Sequence, residues 1–213
     1  ERSINAHGEL QNWKNIKQLS FDKETTLFLE DGSVELKTDQ FQLFQFGEKL
    51  FGKIEWENNG NDIQITYENN KISKKINDSI ITTEEELKKA ENSFWAAHYV
   101  VCKPFDLIAD HIQLILAEDI EIEGKSHYQI QVKYDGDTVD SDSWSYIIDK
   151  ETFKVVANKV VLTDHTSWVE NLTYDSSSDL LFNAHRKSYR LNEKGEKTYL
   201  RAEYFYSNYN IEK

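Results

Sequence analysis

The 213-residue sequence predicts a mainly β domain, a strongly curved antiparallel sheet of roughly ten to twelve strands wrapped around one central helix. Three observations point there. Apolar and polar residues alternate over short runs on both sides of the middle of the chain. The turns between those runs are short, so neighbouring strands are antiparallel. One long stretch, Thr83–Asp110, breaks the pattern with helical periodicity.

Taken in order, Ser3–Ile16 (SINAHGELQNWKNI) reads as an amphipathic helix anchored by Ile4, Trp13 and Ile16 and weakened by Gly8. Leu19, Phe21, Leu27 and Leu29 then alternate with polar positions, and Asp31-Gly32 makes a hairpin turn. Val34–Phe46 is a second strand, apolar on both faces at Phe41, Leu43, Phe44 and Phe46, so it needs a filling on each side. Leu50–Trp56, the run with Ile63, Ile65 and Tyr67, and the polar Lys71–Asn77 follow, separated by asparagine-rich turns.

The central helix starts at Thr83, whose spacing to Glu86 fits a capping box. Glu84, Glu85 and Glu86 suit the positive end of the helix dipole. Leu87, Ala90, Phe94, Ala97 and Val101 mark one face. From Phe94 to Cys102 (FWAAHYVVC) nearly every position is apolar, so this half is expected to be buried on all sides. Pro104 ends the helix near Cys102. Strands resume at Ile112–Glu121, His127–Tyr134, Trp144–Ile148, Phe153–Leu162, Trp168–Tyr174, Leu180–Leu191 and Thr198–Tyr209. No linker and no tandem repeat interrupts them, so residues 1–213 read as a single domain.

Composition removes several function classes. The formal charge is −13, which repels phosphate backbones and disfavours both nucleic acid and electrostatic docking on anionic lipid. No apolar run approaches the ~20 residues of a membrane span. Cys102 is the sole cysteine and lies in a dry setting, one turn after His98. It therefore reads as a small buried apolar side chain rather than a nucleophile. The six histidines are scattered without ligand spacing, and no cofactor motif is present. The acidic loop Asp135–Asp142 offers four carboxylates in eight residues but lacks the order of a calcium-binding loop, so it reads as a solvated connection.

The opening INAHGELQNWKNIKQLSF, the helix running into KPFDLIAD, the hairpin EIEGKSHYQIQVKYDGD and the segment SDSWSYIIDKETFKVV together resemble envelope lipoproteins related to the LolA-like superfamily. That superfamily includes outer-membrane lipoprotein carriers. The resemblance spans nearly the whole chain in the same order of elements. It implies an unclosed antiparallel β-barrel with helices as plug and lid over an apolar cavity. It also implies an exported protein on the periplasmic side of the cell envelope, lipid-anchored upstream of residue 1. The chain begins at Glu1 and contains no methionine, as in a mature processed protein or a trimmed one. One departure matters. The lipoprotein carriers hold their lid helices with an arginine on an early barrel strand. Here the four arginines are Arg2, Arg186, Arg190 and Arg201, so that lid-locking cycle is not expected to carry over.

The expected function is non-enzymatic binding of a hydrophobic small molecule, a lipid or a lipoprotein acyl chain, by a monomer without cofactor or metal. The residues expected at the cavity are Phe41, Phe44 and Phe46 on the sheet with Phe94, Trp95, Tyr99 and Phe105 on or beside the helix. The alternative is a protein-interaction or scaffold module, in which these side chains fill one another and leave no cavity.

Overall fold

The computed structural model describes residues 1–136, 138 and 141–213. Two short helices, α1 (Arg2–Ala6) and α2 (Leu10–Lys14), open the chain. Next come β1 (Gln18–Phe28), β2 (Val34–Gln45), β3 (Phe51–Asn58), β4 (Asn61–Glu68), β5 (Lys71–Ile76) and β6 (Ser79–Ile81). The central helix α3 (Glu84–Cys102) and a 3-10 turn (Phe105–Ile108) separate these from the second set of strands. That set is β7 (Ile112–Leu116), β8 (Ile120–Ile122), β9 (Lys125–Tyr134), β10 (Ser143–Asp149), β11 (Val155–Val161), β12 (Thr166–Asp175), β13 (Phe182–Leu191) and β14 (Lys197–Glu212).

All fourteen strands join one antiparallel sheet in the order β6-β5-β4-β3-β2-β1-β14-β13-β12-β11-β10-β9-β7, with β8 paired to β9. The count exceeds the expected ten to twelve because short β6 was not foreseen and the Ile112–Glu121 run divides into β7 and β8. Each half of the chain is a meander, as short turns dictate. The halves meet along one seam, where Gln18 of β1 lies opposite Glu212 of β14. The path ends at β6 on one side and β7 on the other, so the sheet is an unclosed barrel.

The N-terminal stretch is two helices rather than one. Gly8 has φ 108° and Glu9 has φ 72°, values a right-handed helix cannot contain. A Cβ on Gly8 would lie 2.0 Å from the Asp179 carbonyl oxygen. The bend lets the Leu181 N–H donate to the His7 carbonyl at 2.9 Å, which ties α1 to the entry of β13.

Helix α3 is capped at Thr83 as expected, yet the Thr83 side chain makes no capping bond. Glu86 does not reach back. It accepts instead from Lys74 of β5 at 2.7 Å and from Lys89 at 3.1 Å, since charge-assisted bonds outcompete a neutral N–H. The second half of α3 is not buried on all sides. Ala90, Phe94, Ala97, Val101 and Cys102 are buried, whereas Trp95 and Ala96 are exposed. Beyond the packed stripe, Trp95, Ala96, Tyr99 and Val100 line a cavity.

The main core lies between α3 and the concave face of the sheet, with Leu19, Phe21, Phe44, Ile54, Ile65 and Phe94 nearly inaccessible. Among the described residues no helix is long and apolar enough to cross a membrane. The acidic loop runs through residues 137, 139 and 140, so the reading made of it falls outside the described residues.

Candidate ligand-binding cavity

Phe94 seats the helix. Its ring is fully buried, stacked on Tyr67 of β4 at 4.8 Å and tilted against Phe44 of β2 at 5.8 Å. Gly52 of β3 makes the space, because a Cβ there would meet Phe94 Cε2 at 2.4 Å and Cζ at 2.9 Å. On the other side of the helix Tyr99 reaches the opposite wall, 4.4 Å from the Trp144 ring, with its hydroxyl bonded to that of Tyr146. Thus α3 is packed on one wall and reaches the other through Tyr99.

Between them an open cavity of about 650 Å³ remains. Leu27, Leu36, Ile54, Ile65, Val160 and Val169 of the sheet line it, with Trp95, Ala96, Tyr99 and Val100 of α3. Of the seven aromatic residues expected at the cavity, Trp95 and Tyr99 line it. Phe44, Phe94 and Phe105 are buried in the core, Phe105 stacked on Trp13 at 4.9 Å. Phe46 packs beside them, against Trp13 and His98. Phe41 is 38% exposed on the outer face, because side chains alternate along β2 and Phe41 is out of step with Phe44 and Phe46.

The cavity floor holds polar residues that hydrophobic patterning alone did not single out. Arg186 of β13 is 7% exposed and lines the cavity beside Asn158 and Tyr204. It sits directly opposite Asn171 of β12 and Tyr204 of β14. Its Nε donates to Asn171 Oδ1 at 2.8 Å and its Nη2 to Asn158 Oδ1 at 2.9 Å. Asn171 is held in turn, donating to the Val155 carbonyl at 3.0 Å and to the Tyr174 hydroxyl at 3.2 Å. Burial pushes the Tyr174 hydroxyl up to about 12, against the opposing effects of Asn171 and Arg186. The sequence signal was the alternation Phe182, Ala184, Arg186, Ser188, which puts an arginine on the inward face of a strand.

Cys102 and His98 do approach, with Sγ 3.4 Å from Nε2. Burial, assisted by Asp106, pushes the thiol far above its ordinary value. Burial, then the charge of Lys103, holds His98 down to about 4. At neutral pH the pair is thiol and neutral imidazole, which is not a nucleophilic arrangement. Among the described residues no cluster of three or more His, Cys, Asp or Glu is placed to hold a metal ion.

An unclosed antiparallel barrel with a helix across an apolar cavity is the LolA-like architecture, and solved structures agree. A DUF1329 family protein from Desulfovibrio piger superposes with a TM-score of 0.61 at 10% identity, over 99% of this chain and 90% of that one. A LolA superfamily protein from Nitrosomonas europaea gives 0.60 at 8% identity, over 92% and 87%. A domain named for outer membrane lipoprotein sorting, from Vibrio parahaemolyticus, gives 0.56 at 8% identity, over 98% and 88%. No family model matches the sequence, and no curated protein matches it. The chain therefore has the LolA-like fold, and at these identities the likeness concerns the fold alone.

Proposed function

We propose that this is a non-enzymatic envelope protein that holds a hydrophobic ligand, a lipid or a lipoprotein acyl chain, between α3 and the concave face of the sheet. The observation that carries the reading is the cavity itself. About 650 Å³ stays unfilled between the helix and the sheet, open to solvent and within the ~300–1,000 Å³ of small-molecule sites. Each CH₂ removed from water contributes ~0.8 kcal/mol, so a dozen would give ~10 kcal/mol before ordering costs. Binding of that size needs no catalytic group. The envelope location is supported by the fold shared with a LolA superfamily protein and a lipoprotein-sorting domain.

Native mass spectrometry of protein purified from a lipid-containing host tests the proposal. A co-purifying lipid mass is the expected result. Trp95 and Trp144 line the cavity and report on its filling. An apo mass, together with unchanged tryptophan fluorescence on adding long-chain alcohols and fatty acids, would refute it.

A further inference from the structure

A protein with 38 acidic and 25 basic residues would be expected to line the cavity under α3 with at least some carboxylates. The described lining contains none. Its charged members are two cations, Arg186 and Lys23. Both project from the floor, on strands separated only by β14, roughly 10 Å apart at ordinary strand spacing.

Arg186 is the more informative. A guanidinium carries five N–H donors and stays charged throughout the ordinary pH range. A cation as buried as this one is normally matched by a carboxylate, because an unmatched buried charge is costly. Among the described residues no carboxylate pairs with it, and its two hydrogen bonds go to the neutral amide oxygens of Asn158 and Asn171. Those amides orient the guanidinium without neutralising it. Asn171 is itself fixed by Val155 and Tyr174, so the group is held before any ligand arrives. The remaining donors belong to a side chain that lines the cavity. Lys23 adds positive potential from β1. Its ammonium lies over the Tyr204 ring at 5.0 Å and likewise has no carboxylate partner.

We infer that the cavity is built for an amphiphile with a single anionic head, a carboxylate or a phosphate, which docks on Arg186 while its hydrocarbon chain lies along Trp95, Tyr99 and Val100. The inference rests on the ligand-carrying reading above and narrows it. Carboxylate and phosphate share the paired oxygens that fit the arginine fork. Uncharged lipids of the same length leave the guanidinium unmatched.

The test needs no mutation to begin. Wild-type protein is titrated, by tryptophan fluorescence and calorimetry, with palmitate, hexadecyl phosphate, hexadecanol and methyl palmitate. Sodium acetate and inorganic phosphate serve as heads without chains. Palmitate and hexadecyl phosphate should bind at least tenfold more tightly than the two uncharged chains, and the free heads at least a hundredfold more weakly. Arg186→Met should abolish the preference of charged over uncharged chains, and Arg186→Lys should restore part of it. Far-UV circular dichroism checks that both variants fold, and the wild-type comparison stands if they do not. Equal affinity for charged and uncharged chains would overturn the anchor and leave the apolar cavity intact. Inorganic phosphate binding as tightly as hexadecyl phosphate would overturn the amphiphile in favour of a small-anion site. Failure of every chain to bind would overturn this inference and the ligand-carrying reading together.

Discussion

Gly52→Ala probes the contact that seats α3. Gly52 is not in the left-handed region, so its backbone accepts alanine. On entropy alone the change should stabilise the protein by about 0.4–1 kcal/mol. The packing reverses the sign. The new methyl would lie 2.4 and 2.9 Å from two ring atoms of Phe94 and 3.1 Å from Phe44 Cδ1. Phe94 cannot yield freely, because its ring is fully buried and stacked on Tyr67. Overpacking of this kind costs about 1–3 kcal/mol. For a chain of this size that is a fall in melting temperature of about 2–12 °C. Phe94→Leu removes both of the clashing ring atoms and should cost about 1–2 kcal/mol alone. The two changes should then be non-additive. The double variant should be more stable than the sum predicts by at least about 1 kcal/mol, read from urea denaturation of the four proteins. A neutral or stabilising Gly52→Ala, additive with Phe94→Leu, would mean that α3 is not seated on β3 by this ring.

Three further outcomes follow from other sites. Gly8→Ala combines a positive φ of 108° with a Cβ placed 2.0 Å from a backbone oxygen, so it should lose at least about 2 kcal/mol in a denaturant melt. Cys102 is 4% exposed, so a bulky maleimide should label it slowly in native protein and quickly in denaturant; immediate native labelling would contradict its burial. His98 should titrate near pH 4 by NMR, and a midpoint near 6.5 would contradict the dry aromatic setting made by Phe44, Phe94 and Trp95. Its folded value lies below the unfolded one, so the unfolded chain binds more protons between those limits. The neutral imidazole's contribution is therefore intact above about pH 6.5 and falls away towards pH 4, by roughly 3 kcal/mol in all.

Local patterns carried most of the architecture. Alternation and turn residues revealed the meanders, and Asp31-Gly32 forms its turn with the expected positive φ of 83° at Gly32. Periodicity and Pro104 bounded α3 at Cys102. Long-range features were the ones local reading missed. Gly8 looked like a weak point in one helix, whereas its role is set by Asp179, far away in sequence. The run FWAAHYVVC looked dry throughout because an apolar side chain facing a cavity is written the same way as one facing a core. Strict parity along β2 would have separated Phe41 from Phe44 and Phe46. Aromatic content favoured the rings that fill the core over Leu27, Leu36 and Val160, which leave room. Arg186 was noted for its distance from the early strands, but its inward parity on β13 is what places it at the floor.

The path of the chain gives the cavity a mechanical character. Strands β6 and β7 are the two ends of the sheet, and residues 82–111, α3 followed by the 3-10 turn, run from one to the other. Thr82 and Thr83 alone separate β6 from the helix. The sheet is thus the stave of a bow and α3 its string, 19 residues long and about 28 Å at 1.5 Å per residue. A flap hinged at one end could swing clear and leave the sheet undisturbed. A string tied at both tips, closely at β6 and through residues 103–111 at β7, is more restrained. Widening the cavity against that tether would flatten the stave, whose two halves join where β1 pairs with β14. A change in the width of the cavity would then be carried as curvature to the outer surface of the sheet.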